Sequence, residues 1–355
     1  MSTDLPDPFV VGICYPLWWW DEPGAPEAAK AALVEAGVAA GVSVEVIEPT
    51  YEETHERRAS RGYQPEDDWR ASQPEVAAET DDGFARVHAV VALDLPADIA
   101  DRAPNLRWVQ AFGAGSDQLL SCHLPDADIT LTNSAGANAI GIAEFALGRV
   151  IEHRKRFASL RELQRDKHWQ PLYGAELAGT TLGLIGFGNI CAAVAPRARA
   201  FDMRVVACRR SAQPGDTHPE LDALWPTADL HEMLGECDAV IAAVPNSPET
   251  SGLIDADALA AMKPGAYFVN VGRGTLVDEP ALVAALESGH LSGAALDVAS
   301  SEPLPEDSPI WTAPNLSLSF HNAAVPGAMF GNVHRLFAAN LARYLAGEPL
   351  HNLVH

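Results

Sequence analysis

The sequence predicts an α/β protein built on parallel sheets, and three observations carry that prediction. Short β-branched runs alternate with helix-patterned segments from end to end, which is the pattern that parallel strands joined by crossover helices require. The chain has 355 residues, 48% of them apolar, enough for two domains with separate cores. A glycine turn, Gly186-Phe187-Gly188, directly follows one strand run and opens a helical one, as in a doubly wound sheet.

In the first part of the chain, strands are predicted at "FVVGICY" (9–15), "VSVEVIE" (42–48), "VHAVVAL" (87–93), "LRWVQAF" (106–112) and "ITLTN" (129–133), with mostly helical connections. The connection 51–83 is different: it is polar, carries charges of both signs and has few apolar residues. Its apolar area is too small to offset its ordering entropy, so a surface excursion or partly disordered insert is expected. From 138 to about 166 apolar residues recur at helical spacing before a basic tail, predicting one long helix or a pair. A second strand series follows at 180–186, 204–208, 239–244, 266–271, 293–298 and 316–320, with Pro264-Gly265 and Pro314-Asn315 at two of the turns. Six strands with helices between them make a second doubly wound sheet.

The formal charge of −24 argues against nucleic acid or an anionic membrane as a partner, since neither meets an attractive field. An anionic ligand must then be held by local arginines or helix N-termini. Five cysteines at 14, 122, 191, 208 and 237 show no metal-site or disulfide spacing, so buried free thiols in a reducing compartment are expected and no metal is. The N-terminal segment is acidic, its apolar run is broken by Pro16, and no membrane span is visible, which makes the cytoplasm the expected location.

The stretch "TLGLIGFGNICAAVAPRARAFDMRVVACRRS" (181–211) has the context that gives a glycine motif meaning. Gly186 permits the tight turn, and Gly188 lets the backbone approach a pyrophosphate that the helix N-terminus around Asn189 and Ile190 attracts. Cys191 stands where a third glycine is usual and is small enough for helix–strand packing. Pro196, inside the helix, is expected to bend it. An acid commonly ends the second strand to bond the adenosine ribose; here Arg209, Arg210 and Ser211 follow instead. Two guanidinium groups and a hydroxyl suit a 2′-phosphate, so NADP(H) is expected as the preferred dinucleotide, with NAD(H) as the alternative.

Three later strand ends carry further polar candidates: Arg273 in "NVGRGTLVDE", Asp297 and Glu302 in "LDVASSEPLP", and His321 in "SFHNAAVPG". Arginine, glutamate and histidine at successive strand ends suit one small acid, although each alone is an ordinary loop residue.

Several segments in order, "LRWVQAFGAGSDQL", "ITLTNSAGANAIGIAEFAL", "LAGTTLGLIGFGNI", "AAVPNSPETSGLIDADALAAMKPGAYFVNVGRGTLVDEPALVAALESGHLSGAALDV", "EPLPEDSPIW" and "HNAAVPG", resemble the D-isomer-specific 2-hydroxyacid dehydrogenase family from about Leu106 to Leu353. The resemblance implies that Arg273 binds the substrate's carboxylate and carbonyl and that Glu302 pairs with His321. It implies that the amides of Ala114 and Gly115 hold the carboxylate, and that Val244, Pro245 and Thr250 line the nucleotide. It further implies that Val271, Gly272 and Asp297 lie at the cofactor, Asp297 facing the nicotinamide carboxamide. On this reading a charged His321, favoured by the Glu302 carboxylate, gives a proton to the carbonyl oxygen while a hydride reaches the carbon. The implied architecture is two Rossmann-like domains, with a cofactor domain at 134–322 inserted into a discontinuous, flavodoxin-like substrate domain of 1–133 and 323–355. A homodimer through the helical region after 138 is also implied.

Two departures stand out. The family usually has proline before the histidine, where this chain has Phe320, and the first hundred residues, including Trp18 to Trp20, match poorly. The tryptophans are expected to be a hydrophobic anchor or an interface. The leading expectation is reduction of a small 2-keto acid of the glyoxylate or hydroxypyruvate type with NADPH. The alternatives are NAD-dependent oxidation of a larger D-2-hydroxy acid and a non-catalytic dinucleotide-sensing protein of the same fold.

Overall fold

The structure, a computed structural model, describes residues 5–15, 25–54, 57, 58, 61 and 73–354. The Trp18 to Trp20 cluster lies outside the described residues. The chain divides into two compact units, Met1–Ala137 with Pro326–His355 and Asn138–Val325.

In the first unit β1 (Phe9–Cys14), α1 (Ala25–Ala40), β2 (Val44–Ile47), α2 (Ala78–Phe84), β3 (Ala89–Ala92), α3 (Ile99–Arg102), β4 (Trp108–Ala111), α4 (Asp117–Leu120) and β5 (Thr130–Thr132) follow one another. The described strands pair in parallel in the order β2-β1-β3-β4-β5. The order reverses between β1 and β3, which is where a doubly wound sheet opens its crevice. Residues of β1, β3 and β4 are buried throughout, because helices cover both faces of a parallel sheet and leave no polar alternation. One face packs Phe9, Val11, Ile13 and Trp108 against Leu33 of α1 and against Phe337 and Leu341, which belong to the unit's last helix.

The second unit begins with α5 (Ala139–Arg154) and α6 (Phe157–Arg165). They are a pair because Arg156 adopts a left-handed conformation at φ 59°, which no continuous helix tolerates. Then come β6 (Thr181–Ile185), α7 (Asn189–Arg199), β7 (Arg204–Arg209), β8 (Ala223–Pro226), α8 (Leu230–Glu236), β9 (Ala239–Ala242), α9 (Ala256–Ala261), β10 (Tyr267–Asn270), α10 (Glu279–Glu287), β11 (Gly293–Leu296) and β12 (Leu316–Leu318). The first unit is completed by α11 (Pro326–Leu345). All the pairings in the second sheet are parallel, in the order β12-β11-β10-β9-β6-β7-β8. Helices α5 and α7 cover one face and α8, α9 and α10 the other.

Two sequence expectations need correction. The second sheet has seven described strands where six are expected. The extra one, "ALWP", is a short edge strand that ends in Pro226, a residue tolerated only where no further ladder donor is needed. The segment 51–83 is not a bare excursion in its described part. Tyr51, Glu53, Arg61 and Thr80 are buried, and α2 contributes Phe84 to the core. Ion pairs supply what apolar area does not. Arg61 meets Glu53 at 2.9 Å with both side chains fully buried, and it also donates to the carbonyl of Leu95 and to Cys122 Sγ. Arg58 makes a forked contact with Asp94, which is 1% exposed.

The five cysteines are free and buried, and burial pushes the thiols of Cys14 and Cys237 up to about 12, far from reactivity. Cys191 packs fully buried in the helix–sheet core, as expected for a substitute third glycine. Helix α7 runs through Pro196 to Arg199. Among the described residues no helix is long and apolar enough to cross a membrane, and no cluster of three or more ligating side chains could hold a metal.

Candidate active site

In the second sheet the strand order reverses between β6 and β9, and the loops at the strand ends of this sheet carry the polar residues singled out from the sequence. Gly186 takes φ +84° directly after β6, and a Cβ there would stand 2.5 Å from Val244. Only glycine satisfies both the conformation and the close approach of the loop after β9. Gly188 is the N-cap of α7, and a Cβ on it would meet nothing within 4 Å. Among the described residues the space beside the N-cap is therefore open, next to the first-turn N–H groups of α7, which have no intrahelical acceptors. This arrangement fits a dinucleotide diphosphate.

Arg209 ends β7 half-buried, and its Nε is buried without an acceptor among the described residues. Such an orphaned donor costs stability unless a ligand accepts from it. Arg210 is 83% exposed and lies 3.9 Å from Glu249. Ser211 is exposed beside them. In the loop after β9, Thr250 folds the backbone back by donating to the carbonyl of Pro245 at 2.7 Å and accepting from Ser247 N–H at 2.9 Å.

The loop after β10 is organised by Asn270, which is fully buried. Its Oδ1 accepts from Gly272 N–H at 3.0 Å, and its Nδ2 donates to the Arg273 carbonyl at 2.9 Å. Val271 N–H donates to Ala242 at 3.0 Å. A Cβ on Gly274 would overlap the Ala299 backbone at 1.9 Å, so the loops after β10 and β11 are in direct contact. Arg273 emerges half-buried, with Nη1 donating to the Gly272 carbonyl. The role of Asn270 escaped the sequence reading, though an amide at the strand end before two glycines is its visible signal.

After β11, Glu302 Oε1 accepts from Ala299 N–H at 3.0 Å, and Oε2 meets His321 Nδ1 at 2.8 Å. The histidine side chain is 47% exposed and the glutamate 22%. Asp297, 6% exposed, receives hydrogen bonds from Ser319 Oγ and from the N–H groups of Asn322 and Ala323. Glu302, His321 and Asp297 are thus brought together at the ends of β11 and β12, and β11 is the neighbour of β10, whose end carries Arg273.

Ala114 and Gly115 belong to the first unit and follow β4. Ser134 ties this loop to the end of β4: its N–H donates to the Gly113 carbonyl at 2.9 Å, its Oγ donates to the Ala111 carbonyl at 2.7 Å, and the Oγ accepts from Gln110 Nε2 at 3.3 Å. The N–H groups of Ala114 and Gly115 meet no acceptor among the described residues. They remain available to an anion.

Comparison with known proteins agrees with these features. The profile of the family described as D-isomer specific 2-hydroxyacid dehydrogenase, NAD binding domain, matches residues 147–323. A glyoxylate reductase from Thermofilum pendens is 32% identical over 289 residues, covering 79% of this chain and 84% of that protein. An (S)-sulfolactate dehydrogenase from Chromohalobacter salexigens is 38% identical over 234 residues, covering 64% and 74%. Among solved structures, a D-isomer specific 2-hydroxyacid dehydrogenase from Xanthobacter autotrophicus in complex with NADPH and MES is 27% identical, with a TM-score of 0.74 over 99% of this chain and 98% of that one. An NADPH-dependent glyoxylate/hydroxypyruvate reductase from Sinorhizobium meliloti in complex with NADP and sulfate is 25% identical, with a TM-score of 0.74 over 98% of each chain. With its glycine turn, its NVGRG loop and its Glu302–His321 pair in the family's order, the chain belongs to the D-isomer-specific 2-hydroxyacid dehydrogenase family.

Proposed function

We propose that this protein is an NAD(P)-dependent reductase that interconverts a small 2-keto acid, of the glyoxylate or hydroxypyruvate type, with its D-2-hydroxy acid, NADPH being preferred. The observation that carries this reading is the contact between His321 Nδ1 and Glu302 at 2.8 Å, in which Glu302 follows the strand next to the one that carries Arg273. With Nδ1 held by the carboxylate, the proton available for transfer sits on Nε2 of a charged imidazole. His321 delivers it to the carbonyl oxygen, and Glu302 stabilises the charged ring before transfer. Arg273 binds the substrate's carboxylate through its planar fork and steadies charge on the reacting oxygen. Ala114 and Gly115 contribute backbone N–H donors to the same carboxylate. NADPH, when bound, supplies the hydride.

The cofactor is assigned to Gly186, Phe187, Gly188, Asn189 and Ile190 for the diphosphate and to Val244, Pro245 and Thr250 for the adenosine half. Val271, Gly272 and Asp297 are assigned to the nicotinamide end. Arg209, Arg210 and Ser211 take the 2′-phosphate, and the open first turn of α7 and the orphaned Nε of Arg209 support this. The substrate domain is assigned to 1–133 with 323–355 and the cofactor domain to 134–322. A homodimer is proposed through the helical region after 138. In support, α6 buries none of its residues, and Phe157, Trp169 and Tyr173 are 47%, 99% and 84% exposed. Buried free thiols support a reducing, cytoplasmic location.

The test is the initial rate of NADPH and NADH consumption against glyoxylate, hydroxypyruvate, pyruvate, a bulkier 2-keto acid and, for the sulfolactate dehydrogenase likeness, the keto form of sulfolactate. Turnover with NADPH on a small member, abolished in His321→Ala while NADPH still binds, is the expected result. Binding of both nucleotides with no turnover on any member would replace this reading by the dinucleotide-sensing one.

A further inference from the structure

The turn that carries His321 is built against the local preferences of its own residues. Phe320 and His321 have φ of +53° and +58°, two consecutive non-glycine residues in the left-handed region. Each costs about 1–2 kcal/mol relative to the ordinary helical or extended conformations. Such a pair persists only where the surroundings over-determine it.

The side chain of Phe320 does not hold the turn. It is 68% exposed, and its contact is Trp311, with ring centroids 5.8 Å apart and both rings open to solvent. The Glu302 contact reaches the imidazole but not the backbone.

What holds the backbone is Asp297. Its Oδ1 accepts from Ser319 Oγ at 2.7 Å, from Asn322 N–H at 3.0 Å and from Ala323 N–H at 3.1 Å, while Oδ2 accepts from Ala323 N–H at 3.1 Å. Its main-chain carbonyl accepts from His321 N–H at 2.5 Å, and its own N–H donates to Asn270 at 3.0 Å. The carboxylate therefore bonds the residues on both sides of the left-handed pair, and its carbonyl bonds the pair itself. At 6% exposure, and with no ion-pair partner among the described residues, the charge of Asp297 is compensated mainly by donors of this turn. Charge-assisted bonds of this kind are about twice as strong as neutral ones.

We propose that Asp297 is the positioning residue of the catalytic histidine: its carboxylate locks the left-handed turn at Phe320–His321 that presents the imidazole. The division of labour is then clear. Asp297 fixes where the ring stands, and Glu302, held by Ala299 N–H two residues further on, fixes which ring nitrogen carries the transferable proton. The proposal rests on the reductase reading for the role of His321. It goes beyond a contact with the nicotinamide, because it assigns the carboxylate a task in the absence of any nucleotide.

The test compares wild type, Asp297→Asn, Phe320→Gly and the double variant. Asparagine keeps the shape and one acceptor oxygen, but it places an NH2 group where the second carboxylate oxygen meets Ala323 N–H. Three quantities are read: kcat at saturating NADPH, the NADPH dissociation constant from nucleotide fluorescence, and hydrogen–deuterium exchange over 319–323. Asp297→Asn should lower kcat roughly 10- to 100-fold, the loss of one or two charge-assisted bonds, a larger change than any loss of NADPH affinity from its nicotinamide contact. Exchange at Asn322 and Ala323 should accelerate. Adding Phe320→Gly should restore kcat about 5-fold, since glycine occupies the left-handed region at little cost; a nicotinamide contact predicts no such rescue. The proposal is overturned if Asp297→Asn weakens NADPH tenfold or more with kcat unchanged, or if exchange over 319–323 stays as in wild type. Should Asp297→Asn fail to fold, Ser319→Ala removes one donor and leaves the charge; a smaller fall in kcat with unchanged NADPH affinity supports the brace, and no fall overturns it. Absence of turnover in wild type would defeat the reductase reading alone, because the exchange measurement still decides the brace.

Discussion

Replacing Arg209 by serine and, separately, Arg210 by serine should divide the preference for NADPH unequally. Arg209 leaves β7 half-buried, and its Nε lies in the interior without an acceptor among the described residues. Arg210 is 83% exposed and has Glu249 at 3.9 Å as a competing partner. A phosphate oxygen that satisfies a desolvated guanidinium gains a charge-assisted bond of about 1.5–3 kcal/mol, or roughly 10- to 150-fold in affinity. An exposed arginine that must exchange one anionic partner for another gains the ~0.2–1 kcal/mol of a surface pair, at most about 5-fold. The assay is kcat/KM for NADPH and for NADH with each variant on the best keto acid of the panel. Arg209→Ser should lower the NADPH constant tens-fold and leave the NADH constant within about 3-fold; Arg210→Ser should change the NADPH constant by less than about 5-fold. A loss in Arg210→Ser equal to or larger than that in Arg209→Ser refutes the argument from burial. An unchanged NADPH-to-NADH ratio in both refutes the 2′-phosphate assignment.

Three further outcomes follow from packing and charge. Gly274→Ala drives a methyl group into the Ala299 backbone, so the chain should lose at least the ~1–3 kcal/mol of an overpacked site together with activity; an unchanged urea midpoint would count against it. Arg61→Ala strands the fully buried Glu53 and should destabilise the first unit by about 3–5 kcal/mol, and a loss below ~1 kcal/mol in urea unfolding would mean that the pair is not buried as described. His334, 3% exposed and bonded through Nε2 to Tyr15 Oη, has its pKa pushed down to about 4 by burial, against 6.5 for the free side chain. The unfolded chain then binds the proton more tightly, so stability is full above pH 6.5 and falls between pH 6.5 and 4, with about 2 kcal/mol lost by pH 5. His334→Gln should flatten that part of the stability profile, and an equally steep profile in the variant would assign the loss to other groups.

The strands, the glycine turn and the reactive side chains were legible because their signals are local. A buried parallel strand reads as a continuous apolar run, and "AVIA", "YFVN" and "GAAL" are that. A dinucleotide turn reads as glycines between a strand and a helix. Strand β8 was missed because "ALWP" is four residues long and lies at an edge, so neither alternation nor a long apolar run marks it. The part of 51–83 that packs was misjudged because the entropy argument weighed apolar area alone. Charges that look solvated in sequence, Glu53, Arg58, Arg61 and Asp94, close on one another across 36 and 8 positions. Nothing in composition reveals which acid will meet which base.

The same limit explains why Asn270 and the turn role of Asp297 were not visible. In both cases the side chain sits at the end of a buried strand and bonds to main-chain groups of the next loop, and main-chain groups carry no sequence signature. Asn270 gathers Gly272 N–H and the Arg273 carbonyl; Asp297, on the adjacent strand end, gathers the N–H groups around His321. Arg273 and His321 could be placed by strand-end position alone, but the main chain that carries them is tied down by these two buried polar side chains, linked through the bond from Asp297 N–H to the Asn270 carbonyl. The left-handed pair at Phe320–His321 is where local propensity and tertiary bonding disagree most, and tertiary bonding wins because a buried carboxylate with no cation among the described residues has few other donors. A phenylalanine therefore stands before the histidine in a conformation that a proline ring, fixed near φ −65°, does not reach. The backbone at this point differs from what the family's usual proline would impose, and Asp297 is the residue that makes the difference affordable.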